Sequence, residues 1–190
     1  MEQQLSFFGQ DDSSRRKYNL FLALLPDGQI TRVISDFRES LERQHGPLGR
    51  LVLAEHYHIT LVDLGEYYDE IPKSEIRRVS AGCEMAVRIP GFPISLDQVR
   101  TWGSTLVLPG LKSPPLMEFR SSLLECLMRQ GLRCKGNSTF TPHLTLSRGS
   151  TKIPQGPIEP ITWDASEVVL IGSSEGTHTH LGRWSLSRGA

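Results

Sequence analysis

Apolar and polar positions along the chain alternate between two spacings, and the change from one to the other marks the elements. Residues 18–25 (YNLFLALL) form a short apolar run ended by Pro26-Asp27-Gly28, which predicts a buried strand. Over 29–43, Ile30, Val33, Ile34, Phe37 and Leu41 recur at helical spacing, predicting a helix with one apolar face that stops at Gly46-Pro47. After a short apolar piece at 51–53, residues 56–64 (HYHITLVDL) predict a strand ended by Gly65. Residues 72–86 start on a proline and predict a helix, broken by Pro90-Gly91. Strands are predicted at 92–99 and 104–108, then a second amphipathic helix at 115–129 with Gly131 as its cap. A strand at 139–147 (TFTPHLTLS), a Gly- and Pro-rich loop at 149–160, and closing strands at 167–171 and 181–186 complete the series.

The series contains an internal echo. Residues 18–25, 29–43 and 56–64 run strand, helix, strand, and so do 104–108, 115–129 and 139–147. In each, the last strand carries His-x-Thr-x. A repeated supersecondary unit implies two similar lobes that bury apolar faces against each other, with the histidine strands side by side across a pseudo-twofold axis. The predicted fold class is α+β: bilobal, two pseudo-symmetric sheet-and-helix lobes around a central groove.

Composition narrows the partners. The chain has 190 residues, 38% hydrophobic and 22% charged, which suits one domain or two small lobes sharing a core. No apolar run approaches the roughly 20 residues of a membrane helix, and no membrane partner is expected. Lys+Arg and Asp+Glu balance at 21 each, so any nucleic acid should be held locally rather than along a long duplex. Residues 1–17 read as a polar, mobile tail that lacks the basic start and apolar core of a secretory signal; its Phe7–Phe8 pair has no assigned role. Cys83, Cys126 and Cys134 show no C-x-x-C spacing and read as reduced thiols, hence a cytoplasmic protein.

The chemistry lies in His58-Ile59-Thr60-Leu61 and His143-Leu144-Thr145-Leu146. Side chains at i and i+2 of a strand share a face, so each motif presents one imidazole and one hydroxyl while its apolar residues point into the core. Two such motifs supply an acid, a base and two donors for phosphate oxygens, which is what opening a cyclic phosphodiester needs. No metal is required. A single H-x-T strand is more often structural; two, each after a matched strand–helix unit, favour the catalytic reading.

These residues, with Leu64-Gly65 after the first motif and Phe140-Thr141-Pro142 and Ser147-Arg148 around the second, resemble the 2H phosphoesterase superfamily. Within it the chain is most similar to the RNA 2′,3′-cyclic phosphodiesterases, also called 2′-5′ RNA ligases, over nearly all of 18–186. The resemblance implies a single bilobal domain over 18–190 with the active site between lobes. It implies hydrolysis of RNA 2′,3′-cyclic phosphate ends to 2′-phosphates, with reversible 2′-5′ joining. It makes His58 the proton donor and His143 the acceptor, and implies no cofactor.

Thr60 and Thr145 are the expected phosphate donors; Arg148 is a further phosphate contact or a solvated strand end, and Tyr67, in the loop after Gly65, either stacks a base or packs in the core. The expected partners are RNA ends or small cyclic-phosphate nucleotides, bound by a monomer. His56 shares a strand face with His58 and is a candidate cleft residue. Trp102 and Trp163 read as core anchors, and His178 and His180 as residues of a hairpin turn rather than metal ligands. The rival readings are turnover of another cyclic phosphate, such as an ADP-ribose cyclic phosphate, and a non-catalytic RNA-end or nucleotide sensor.

Overall fold

A computed structural model of the chain describes residues 15–134, 139–149 and 152–187. Of the expected tail, only its last three residues fall within these, and Phe7–Phe8 lies outside them. Strand β1 (Lys17–Leu24) opens the fold. Leu20, Leu22 and Leu24 on one of its faces are fully buried in the main core. Phe21, Ala23 and the following Leu25 belong to a small second cluster with Val169 and Ile171 on the other face. Helix α1 (Gly28–His45) starts where Asp27 Oδ1 accepts the amides of Gln29 and Ile30, both at 2.8 Å, which supplies partners for two otherwise unpaired donors.

The remaining elements are β2 (Arg50–Leu51), a single 3-10 turn (Ala54–His56), β3 (Ile59–Tyr68), α2 (Lys73–Ala86), β4 (Phe92–Trp102), β5 (Thr105–Pro109), α3 (Pro114–Arg129), β6 (His143–Arg148), β7 (Gly156–Ala165), β8 (Glu167–Ser174) and β9 (Thr177–Ser185). Among the described residues the strands form one antiparallel sheet in the order β7-β4-β5-β6-β3-β1-β8-β9, with β2 added beside β6. The two echoed strand pairs, β1–β3 and β5–β6, occupy the middle. They meet through one residue pair, Ile59 opposite Leu144. Counting outward from that seam, each half adds the second strand of its echo pair and then two more.

The helices lie on one face. Helices α2 and α3 pack together, α3 also touches β3 and β4, and α1 reaches β7 in the opposite half. Ile59, Leu61, Leu144 and Leu146 point into this layer beside Phe119 and Leu123, and all six are almost wholly buried. Burial of these side chains is what anchors the histidine strands, at roughly 1.5–3 kcal/mol for each large apolar side chain.

Several boundaries differ from the sequence reading. Gly65 does not end β3. With φ of +107°, it stands at a register shift where Leu20 pairs with Gly65 and Phe21 with Asp63, and the strand continues to Tyr68. The expected 149–160 loop gives way to β7 from Gly156. Pro157 and Pro160 are tolerated there because β7 is an edge strand with a neighbour on one side only. Strand β9 starts at Thr177, so His178 and His180 are strand residues, and the turn before them is Glu175-Gly176. Strand β6 begins only at His143, after Pro142. Among the described residues, no helix is long and apolar enough to cross a membrane.

Candidate active site

The two motif histidines stand at matching points. His58 immediately precedes β3 and His143 is the first residue of β6. With Ile59 opposite Leu144, antiparallel register sets His58 across from Thr145 and Thr60 across from His143. Both rings are held the same way: His58 Nδ1 bonds the His56 carbonyl at 2.7 Å, and His143 Nδ1 bonds the Thr141 carbonyl at 3.0 Å. A carbonyl oxygen only accepts, so Nδ1 carries the proton in each ring and Nε2 is the nitrogen left to exchange one. The carbonyl two residues upstream thus fixes both tautomer and orientation.

His58, Thr60, His143, Thr145 and Arg148 line one polar cavity of about 280 Å³, together with Trp102 and Thr105. A second cavity of about 360 Å³ adjoins it on the His58 side, reaching Arg50, His56 and His178. A third, of about 370 Å³, adjoins it on the His143 side, reaching Asp63, Arg120 and Phe140. The three share walls and form a continuous groove across the seam.

Burial holds the His58 imidazole below its ordinary pKa; the bond to His56 opposes this, and the charges of His143 and Arg148 reinforce it. Phe21 stacks on the ring, with centroids 4.9 Å apart and planes at 29°. His178 stands edge-on to His58 at 5.4 Å and packs against His56 at 4.1 Å. Burial, with the neighbouring His58 and His56, lowers the His178 pKa to about 4, so this ring is neutral near neutral pH. His143 has an aromatic neighbour of its own in Trp102.

Arg148 lines both the central cavity and the His58-side cavity, at the end of β6 where it pairs with Arg50 and Thr105. Tyr67 is elsewhere. Its hydroxyl bonds Glu75, its ring packs against the main core, and burial raises its pKa to about 12; it lines none of the three cavities. The base-stacking reading of Tyr67 followed from ending β3 at Gly65. With the strand continuing past its bulge, the side chain turns to the helix layer. Trp163 is buried, 7% exposed, as expected, whereas Trp102 is 40% exposed and lies against a motif histidine instead of in the core.

His178, Trp102, Thr105 and Arg50 are groove residues, and Phe21 a neighbour of the His58 ring, that the sequence reading did not find. The signal for Trp102 and Thr105 lay in the β4–β5 hairpin, which ends at the second motif strand. His178 gave no comparable signal, because THTHLGRWS has no apolar alternation. His180 takes a hydrogen bond from Arg183 at 2.7 Å on an exposed part of β9. Among the described residues, no three His, Cys, Asp or Glu side chains are grouped as metal ligands.

Known proteins share the sequence and fold of this chain. Residues 25–177 match the model of the 2′-5′ RNA ligase superfamily. The chain is 31% identical over 180 residues to the RNA 2′,3′-cyclic phosphodiesterase of Escherichia coli (strain K12), covering 89% of this chain and 97% of that protein. The crystal structure of E. coli LigT complexed with 3′-AMP superposes with a TM-score of 0.68 at 28% identity, over 91% of this chain and 99% of the other. A solved phosphoesterase gives a TM-score of 0.71 at 30% identity, over 90% and 98%. On the strength of the matched length and the shared sheet-and-helix fold, this chain belongs to the 2′-5′ RNA ligase superfamily.

Proposed function

We propose that the protein hydrolyses RNA 2′,3′-cyclic phosphate ends to 2′-phosphates by proton transfer between His58 and His143, without a metal, and that the same ring opening with a 5′-hydroxyl as nucleophile gives reversible 2′-5′ joining. The carrying observation is that both imidazoles line one polar cavity with Nδ1 bound to a backbone carbonyl, leaving each Nε2 for the substrate. The phosphorus sits between the rings. His143 Nε2 takes a proton from water as its oxygen bonds to phosphorus; His58 Nε2–H gives a proton to O3′ as the P–O3′ bond breaks. In joining, a 5′-hydroxyl takes the place of the water. Thr60 and Thr145 donate to the non-bridging oxygens, and Arg148 offsets their negative charge.

Burial depresses the His58 pKa. A phosphate anion beside the ring favours its protonated form, which is the form a proton donor needs. The similarity to an RNA 2′,3′-cyclic phosphodiesterase supports RNA as the substrate class. The reading takes residues 18–190 as one bilobal unit, acting as a monomer in the cytoplasm. Incubation with an oligoribonucleotide ending in a 2′,3′-cyclic phosphate should yield a 2′-phosphate with undiminished rate in EDTA. A 3′-phosphate product would reverse the leaving group, and total loss with the chelator would remove the two-histidine mechanism.

A further inference from the structure

We propose that the cavity beside His143 is a second substrate subsite, in which Arg120 binds the next phosphate of a nucleotide chain whose reacting end lies between the two histidines. This rests on the function proposed above. Arg120 lies within α3 and is only 7% exposed. Its Nε donates to the Leu61 carbonyl at 2.9 Å, and its guanidinium stands 4.1 Å over the Phe140 ring. Among the described residues no carboxylate pairs with it. A guanidinium removed from water is costly unless an anion or a full set of acceptors replaces the solvent. One carbonyl and one ring face leave most of its five N–H donors without a protein partner and open to the cavity.

Those donors line a cavity of about 370 Å³ that shares Thr60, Trp102 and His143 with the central one. A group bound there therefore neighbours the space between the two histidines. The volume falls in the range of small-ligand sites, and a planar guanidinium matches phosphate oxygens in pairs. Asp63 stands at the same cavity's rim, its Oδ1 accepting the Gly65 amide. A purely structural role, tying Leu61 in place, would need only a neutral donor and would not turn a guanidinium toward the cavity.

Two strands could supply the phosphodiester: the one carrying the cyclic end, or an incoming strand with a 5′-hydroxyl. Three probes separate them: adenosine 2′,3′-cyclic phosphate, the dinucleotide ApA ending in a 2′,3′-cyclic phosphate, and ApA with free hydroxyl ends as a competitor. For the wild type, KM should be about tenfold lower for the cyclic dinucleotide than for the mononucleotide, or ApA should compete at comparably low concentration. Arg120→Met should abolish that advantage while turnover of the mononucleotide stays within about threefold, and Arg120→Lys should restore part of it. A change confined to the cyclic dinucleotide assigns the phosphate to the cyclic-end strand; a change confined to ApA assigns it to the incoming strand. Equal losses on all probes would make Arg120 structural and overturn the proposal. So would a wild type that turns over the mononucleotide yet gains nothing from either dinucleotide, a result needing no variant. Failure of the wild type on every cyclic phosphate would instead overturn the function itself.

Discussion

The indole of Trp102 meets the imidazole of His143 edge to face, with ring centroids 4.7 Å apart and planes at 61°. A large aromatic side chain left 40% exposed at the end of a strand is unusual unless something uses it. Here it closes one side of the ring whose other constraint is the Thr141 carbonyl. Trp102→Ala should lower kcat about 2–10-fold, the worth of one aromatic pair, and Trp102→Phe should retain most of it. Unchanged kcat with a raised KM would show that the indole touches substrate rather than positioning His143.

On the proposed mechanism, replacing either motif histidine removes one proton-transfer group and leaves the buried strand behind it intact. His58→Ala and His143→Ala should each lower turnover of a cyclic phosphate by about 10²–10⁴, with thermal melting little changed. Because the two act as a pair, the double variant should be hardly worse than the worse single one. Wild-type turnover in either single variant would end the acid–base assignment.

The histidine cluster carries a pH signature. His178 titrates at about 4 in the fold against 6.5 ordinarily, because burial disfavours its charged form. Between those values the unfolded chain binds more protons than the native one. Stability should therefore be fully present above pH 6.5 and fall as pH drops toward about 4. His58, also depressed, acts in the same direction. His178→Asn should flatten the decline of melting temperature with acid. An equally steep decline in the variant would show that the ring is not held neutral.

Gly49 has φ of +81°, and a Cβ there would lie 2.6 Å from the Gly149 carbonyl oxygen and 2.7 Å from that of Arg148. Its neighbour Arg50 pairs with Arg148 across β2 and β6. Gly49→Ala should cost about 1–3 kcal/mol of stability and push the end of β6 aside, raising KM through the displaced Arg148 guanidinium. A destabilised variant with unaltered KM would remove Arg148 from substrate binding.

The period-2 pattern of HITL and HLTL was readable because both strands back onto the core, where Ile59, Leu61, Leu144 and Leu146 must alternate with the groove residues. Placing Thr60 beside His58 and Thr145 beside His143 followed from that alone. Edge strands gave no such signal. Pro157 and Pro160 in β7, and THTH in β9, look like loop and turn because a strand paired on one side need not be apolar or proline-free. Gly65 reads as a stop in sequence but serves a bulge in the fold, which moved Tyr67 from the groove to the core. Trp102 was assigned to the core from its size. Only contact with His143, a partner distant in sequence, explains its exposure.

Among the described residues the two histidine strands share one ladder pair, Ile59 opposite Leu144, beside the β2–β6 pairing. Beneath that seam lies one buried layer, Leu61 and Leu146 among its side chains, that backs both histidine strands. Catalytic spacing in this protein becomes a mechanical property of the hydrocarbon layer. A methylene gained or lost there, far from any phosphate, retunes the distance across which protons must travel.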